Sequence, residues 1–369
     1  MKTWQLLKKN PELFPRYYTK EYIIKACRKF FENRNYHELE SPIITSALPQ
    51  ERYLDVLEAK ILQKNGNDLT AYITPTTETF NKKILAAGLG EHFVITKVAR
   101  GLEEIGPNHS PEFTMMEWYH LDADYFDLMD DCEELFAFIL KFLDLENNSS
   151  RENLKKIFNL SFDEINNHKI DLKINYKGQE IDLTKVWDRV SVPDLVKKYL
   201  EAELSEIQNK QKLLQLAKSK GYKVDKNDDW ISLFELLFTA EIEDNFSKTK
   251  PTFVYNYPKQ MCPLTKVNEE NPLVSEKVEL YLAGKEIANG YSELSDWEAQ
   301  EKNFLEEQAS RKELGLKEIK MDTDLVEAIK SGIPKVAGIG MGLDRVAMIL
   351  ANADSIADIN YFPASEWVD

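Results

Sequence analysis

Two apolar runs on either side of a turn-rich loop do most to limit what this chain can fold into. Residues 92–99, HFVITKVA, and 112–121, EFTMMEWYHL, each read as a strand, and GLEEIGPNHSP separates them. Two strands joined in this way predict an antiparallel hairpin. Further strands are expected at 252–258 (TFVYNYP) and over 277–294 (KVELYLAGKEIANGYSEL), and AGIGMGLDR reads as a strand running into the helix LDRVAMILANA. Antiparallel hairpins with helices laid around them give an α+β fold, not alternating βαβ units.

The helices follow from spacing. Residues 19–34 place Tyr22, Ile23, Ala26, Cys27, Phe30 and Phe31 on one face, with Thr19 as the expected cap. Pro42 then marks an edge or strand end. A second helix is expected over 74–88, opened by Pro75 and ended by Gly88. A third, over 125–144, lines up Phe126, Met129, Cys132, Leu135, Phe136, Ile139 and Phe142. Near the C-terminus a charged helix is expected at 296–313, then one capped by Thr323 and closed by Gly332. Between 145 and 250 the composition turns to Asn, Lys and Asp. That stretch carries a hairpin signal at KINYKGQEIDL and helices near 194–219 and 230–244, and reads as an inserted subdomain.

Composition removes several functions. With 47 Lys+Arg against 63 Asp+Glu the formal charge is −16, which argues against wrapping DNA or RNA over a broad surface. A local basic site for a phosphate remains possible. Cys27, Cys132 and Cys262 are far apart with no C-x-x-C pair, so neither a zinc ribbon nor a disulfide framework is expected. The first thirty residues are broken by Pro11 and Pro15 and charged throughout, unlike a signal peptide, and no apolar run approaches a membrane span. The expectation is a soluble, cytoplasmic chain.

No G-x-S-x-G, H-E-x-x-H or Cys–His arrangement is present, and the five histidines are scattered. The alternating Gly338, Gly340 and Gly342 match neither a dinucleotide fingerprint nor a P-loop. They suit a strand packed closely on a neighbour, or a backbone approached by a ligand. What stands out is charge inside apolar strands: Arg100, Glu112 and Glu117, Glu286 with Asn289 and Glu293, and Arg345. Unpaired charge there is expensive. Together these residues describe guanidiniums for phosphates, carboxylates for Mg²⁺ and further carboxylates for an amine.

At these residues the chain resembles the class II aminoacyl-tRNA synthetases. FENRNYHELESP is similar to their motif 1, ARGLEEIGPNHSPEFTMMEWY to motif 2 and GIGMGLDRVAMIL to motif 3. HSPEFTMMEWY, EIANGYSEL and PKQMCPLTK resemble the lysyl branch in particular. Motif 1 starts about twenty residues in, which leaves no room within this sequence for the anticodon-reading OB domain of lysyl-tRNA synthetases. A bare lysyl-type core is the architecture of the elongation factor P–(R)-β-lysine ligases, to which EIANG and the WY of MMEWY also lean. PLTK and Gly340 lean toward the synthetases.

The resemblance implies a class II synthetase fold, ATP and Mg²⁺, and a set of site residues. Arg100 would grip the α-phosphate, Arg345 the γ-phosphate and Glu286 the Mg²⁺. Phe113 would stack on adenine, with Glu103 or Glu104 at its amino group and His109, Ile287 and Gly342 nearby. Thr76, Glu78, Glu117, Tyr119, Asn289, Glu293 and Gly340 would surround a lysine-like substrate. The implied activity is adenylation of lysine or β-lysine and its transfer to a lysine side chain of elongation factor P. Aminoacylation of tRNA or another small acceptor is the alternative, and a non-catalytic paralogue a third. No DNA or membrane partner is implied. Motif 1 implies a homodimer.

Overall fold

The computed structural model describes residues 1–101, 105–147 and 159–367. Its centre is an eight-stranded sheet in the order β1 (His37–Glu38), β5 (His92–Ala99), β6 (Glu112–Leu121), β13 (Val336–Gly342), β12 (Lys285–Ser292), β11 (Val274–Leu282), β10 (Thr252–Pro258) and β9 (Asp188–Ser191). The six central strands pair antiparallel, as the hairpin reading requires, while β1 and β9 add parallel edges. Two small sheets accompany it: β2 (Ile44–Thr45), β4 (Leu69–Ile73) and β3 (Glu58–Ile61), and the pair β7 (Lys173–Tyr176) and β8 (Gln179–Asp182). Lys177–Gly178 and Ala283–Gly284 turn the β7–β8 and β11–β12 hairpins with positive φ at both residues, the backbone that matches strand twist.

Helices α1 (Thr3–Lys9), α2 (Phe14–Asn33), α3 (Glu78–Ala86) and α4 (Tyr125–Asn147) lie in the first part of the chain. Later come α5 (Lys210–Ser219), α6 (Trp230–Glu241), α7 (Trp297–Glu313), α8 (Thr323–Ser331) and α9 (Leu343–Leu350). One face of the sheet is buried under α2, α4 and α9. Phe30, Phe31, Met129, Phe136, Val346 and Met348 meet Met116, Trp118, Ile339 and Met341 there in one core. Strand alternation then turns the intervening residues to the opposite face. That face carries the site.

Several element boundaries differ from the sequence reading. Helix α2 begins at Phe14, because Pro15 sits in its first turn, where a missing N–H costs nothing. Thr19 is therefore interior and donates back to the Pro15 carbonyl. Helix α3 begins at Glu78, not near Pro75, since the Thr76 hydroxyl and the Thr77 amide are both donated to Glu117. Asp322, not Thr323, caps α8 by accepting from the Leu325 amide. Residues 194–219 are interrupted at Glu201, which takes a left-handed φ of 53°, before α5 starts. Phe126 is exposed, unlike the rest of the apolar row on α4.

The segment around 145–250 joins the main sheet through β9, and its helices α5 and α6 share a core with Val254, Tyr257, Val274 and Tyr281 of β10 and β11. Among the described residues no helix is long and apolar enough to cross a membrane. All three cysteines are buried and free.

Candidate active site

A cavity of about 720 Å³ opens on the uncovered face of the sheet. Its floor is built in rows by strand register. Glu117 on β6, Gly340 on β13, Asn289 on β12 and Glu279 on β11 are successive cross-strand partners. The next row is Tyr119, Gly338, Tyr291 and Lys277. Glycine at the centre of both rows deepens the floor between flanking side chains. At Gly338 the need is strict, because a Cβ would lie 2.5 Å from Tyr119 Cε1 and 2.6 Å from Glu293 Oε1. At Gly340 a Cβ would meet Glu117, Met115 and Asn289 at 3.6–3.9 Å, an ordinary contact.

At one end stands a wall of buried carboxylates. Glu78 opens α3, Glu293 follows β12 and Glu117 lies on β6, and all three are buried. Lys82, one turn along α3 and 0% exposed, puts its ammonium 2.5 Å from Glu78 Oε1 and 2.6 Å from Glu293 Oε2. Glu117 accepts from the Thr76 hydroxyl at 2.7 Å, the Thr77 amide at 2.8 Å and Asn81 at 3.1 Å. It therefore fastens the start of α3 to the sheet. Burial pushes the Glu117 carboxyl up, against those donors. Burial also raises Glu293, with Lys82 opposing and Glu78 and Glu117 adding to the rise. Tyr119 stacks on His92 at 5.1 Å and completes the wall.

The other end is cationic. The Arg100 guanidinium lies 5.5 Å from the Phe113 ring centre, its Nε donating to the Pro75 carbonyl at 3.5 Å. Arg345, in the first turn of α9, donates to the backbone carbonyls of Asn108 at 3.2 Å and Glu286 at 2.8 Å. Its Nη1 is 3.9 Å from the Glu286 carboxylate. The carbonyls orient both guanidiniums, and the Glu286 carboxylate offsets part of the charge of Arg345. His109, Ile287 and Gly342 line the same end, and Thr76 lies between the two. The Glu286 carboxyl is raised by loss of surrounding water and by Glu279, against Arg345, Lys277 and Arg100.

The cavity thus gathers Thr76, Glu78, Arg100, His109, Phe113, Glu117, Tyr119, Glu286, Ile287, Asn289, Glu293, Gly340, Gly342 and Arg345. Glu103 and Glu104 lie outside the described residues. Three site residues escaped the sequence reading. Lys82 looks like the surface half of an i, i+4 pair with Glu78 until Glu293 folds onto it. Lys277 and Glu279, 2.8 Å apart on β11, carried the signal already used for Glu286, charge inside an apolar strand. Burial would raise the Glu279 carboxyl, but Lys277 and the hydroxyls of Tyr257 and Tyr281 hold it below the usual range.

An antiparallel sheet flanked by helices, with guanidiniums at one end of its open face, is the catalytic fold of class II synthetases. Residues 2–366 match the family of tRNA synthetases class II (D, K and N), and the chain belongs to that family. It is similar to lysine–tRNA ligases: 30% identical over 355 residues to that of Thermoanaerobacter pseudethanolicus, covering 96% of this chain and 64% of the relative. For Clostridium acetobutylicum the figures are 33% over 350 residues, 92% and 61%, and for Clostridium perfringens strain SM101 30% over 358 residues, 96% and 65%. The chain spans just under two thirds of these relatives' length.

Proposed function

We propose that this chain uses ATP to convert lysine or (R)-β-lysine to the aminoacyl-adenylate, then passes it to a lysine side chain of elongation factor P. The observation that carries the first step is the charge of the buried wall. Three buried carboxyl groups, Glu78, Glu117 and Glu293, share this wall with one buried ammonium among the described residues, Lys82, which pairs with Glu78 and Glu293. Buried charge of one sign calls for a partner. The two ammonium groups of lysine or β-lysine supply it, and an analogue lacking one would leave a carboxylate unpaired.

In the first step the substrate carboxylate attacks the α-phosphorus and pyrophosphate leaves. Arg100 and Arg345 are oriented by neutral carbonyls, with Glu286 the nearest carboxylate at 3.9 Å from Arg345, so both guanidiniums can turn their charge to phosphate oxygens. Phe113 offers a face to adenine. The carboxylates of Glu286 and Glu279 line the cavity beside the arginines, and this donor set fits Mg²⁺ held by one or two carboxylates and the substrate's phosphates. Mg²⁺ there would neutralise phosphate charge. In the second step an acceptor amine attacks the activated carbonyl and AMP leaves. Positioning and charge carry both steps without a protein nucleophile.

EIANG, the WY of MMEWY and the −16 charge support the protein acceptor over tRNA. The similarity to lysine–tRNA ligases supports tRNA as the second reading. Incubating the protein with ATP, labelled lysine isomers, and either elongation factor P or tRNA decides between them. Label on an elongation factor P lysine is expected, and label on tRNA alone overturns that acceptor. Absence of lysine-dependent ATP–pyrophosphate exchange with any isomer removes the enzyme reading and leaves the non-catalytic paralogue. We further assign a homodimer built on α2 and the segment reaching Pro42, the commonest oligomer geometry being isologous. A monomeric mass by light scattering would overturn it.

A further inference from the structure

A fully buried lysine inside a substrate-binding wall is unusual. Burying an ammonium costs far more than it returns unless its partners are fixed close by. Here the partners are two of the carboxylates assigned above to the substrate's amines, and the assignment that follows rests on that reading. We propose that Lys82 is a positioning and specificity-determining residue: its ammonium clamps Glu78 and Glu293 into one wall placed to receive the ammonium groups of the substrate.

The geometry supports this in three ways. The carboxylates come from different parts of the fold, Glu78 from α3 and Glu293 from beyond β12, and Lys82 is what joins them, at 2.5 and 2.6 Å. Each gives the bridge one oxygen, so a second oxygen of each is left for a ligand. The Tyr291 ring lies 5.6 Å from the Lys82 ammonium and closes its far side. The groups around the ammonium are Glu78 on its own helix, Tyr291 on β12 and Glu293 after it, while Glu117 on β6 acts on Glu293, and Glu51 acts with Glu78 from the loop before β3. Helix α8 also packs on α3, but its Asp322 and Asp324 pair with Lys83.

Without Lys82, Glu78 would go on raising the Glu293 carboxyl with nothing opposing it, so Glu293 would hold a proton to higher pH. A protonated carboxyl is a poor partner for an ammonium. The loss would fall on substrate binding and would be recovered as rising pH removes that proton. Burial already raises Glu293 and Lys82 opposes the rise, so the sign is fixed: deleting Lys82 moves the titration to higher pH.

Lysine-dependent ATP–pyrophosphate exchange, measured from pH 6 to 9.5 on wild type and Lys82→Met, reads this out. The acid limb of kcat/KM for lysine should move up by about one pH unit, equivalent to about a tenfold higher KM at neutral pH, with kcat nearly unchanged. In Lys82→Ala, n-propylamine, which replaces the deleted carbons and nitrogen, should restore the lysine KM, whereas n-propanol should not. Should Lys82→Met fail to fold, Lys82→Gln keeps a donor without the charge and should show the same shift. Profiles that superimpose on wild type, or equal rescue by propanol, overturn the role of Lys82 while exchange by wild type still upholds the proposed function. No exchange by wild type overturns both.

Discussion

The two ends of the cavity hold their charges in opposite ways. At the nucleotide end, Arg100 and Arg345 are steered by the carbonyls of Pro75, Asn108 and Glu286. Those dipoles fix direction, and with Glu286 no nearer to Arg345 than 3.9 Å most of the positive charge stays unspent. At the amine end the carboxylates are tied to an ammonium or to hydrogen-bond donors: Glu78 and Glu293 to Lys82, Glu117 to the Thr76 hydroxyl, the Thr77 amide and Asn81. The difference matches what each end has to meet. Phosphates arrive with several negative charges and reward strong open cations, whereas ammonium groups must be told apart by position, so their receptors are fixed more tightly.

The contrast can be broken most severely at Arg345. Arg345→Ala removes one unspent cation, and should cost about 3–4 kcal/mol of transition-state stabilisation in exchange assays, the size typical of one lost preorganised donor. A loss below tenfold would mean that the guanidinium is structural. The next test lies at the amine end. In Gly338→Ala the new methyl group would collide with the Tyr119 ring and the Glu293 carboxylate, and overpacking of this kind costs about 1–3 kcal/mol. Calorimetry should show a lower Tm, and the lysine KM should rise as Glu293 is displaced. An unchanged Tm would disprove the tight floor.

The subtlest test is two residues further along the same strand. Gly340→Ala fits without a clash, so Tm should stay put. The methyl group fills space beside Glu117 and Asn289, where the positions of an α- and a β-amino group differ by one carbon. Wild type should activate α-lysine at least comparably to β-lysine, and Gly340→Ala should shift the ratio toward β-lysine by about tenfold or more, within the reach of one methyl group in a pocket. Equal losses for the two isomers would show that Gly340 serves only strand packing.

Much of this molecule was legible before its structure. The strands at 92–99, 112–121 and 252–258 have the limits expected, because runs of β-branched, aromatic and other apolar residues bounded by turn residues are a strong local signal. Helix starts were less legible. Pro15 reads as a breaker in isolation, and the late start of α3 depends on Glu117, almost forty residues away in sequence. The same distinction holds in the cavity. Glu286 and Glu293 announce themselves as charges in apolar strands, and Glu279 could have been found by that rule. Lys82 could not, since only the return of Glu293 onto α3 turns a surface-like pair into a buried bridge.

Asp344, beside Arg345 in sequence, is buried and accepts from Lys20 on α2, from Asn360 and from the Thr114 amide next to Phe113. Burial would raise its carboxyl, but Lys20 and those donors hold it below the usual range. One carboxylate thus serves as the common datum for helix α2, the strand that presents the aromatic ring and the helix that presents the arginine. Alignment errors between these three parts cannot accumulate independently. A shift of α2 must either carry Arg345 and Phe113 along or break the joint at Lys20, so the tolerances of the nucleotide end are set by a helix that never enters it.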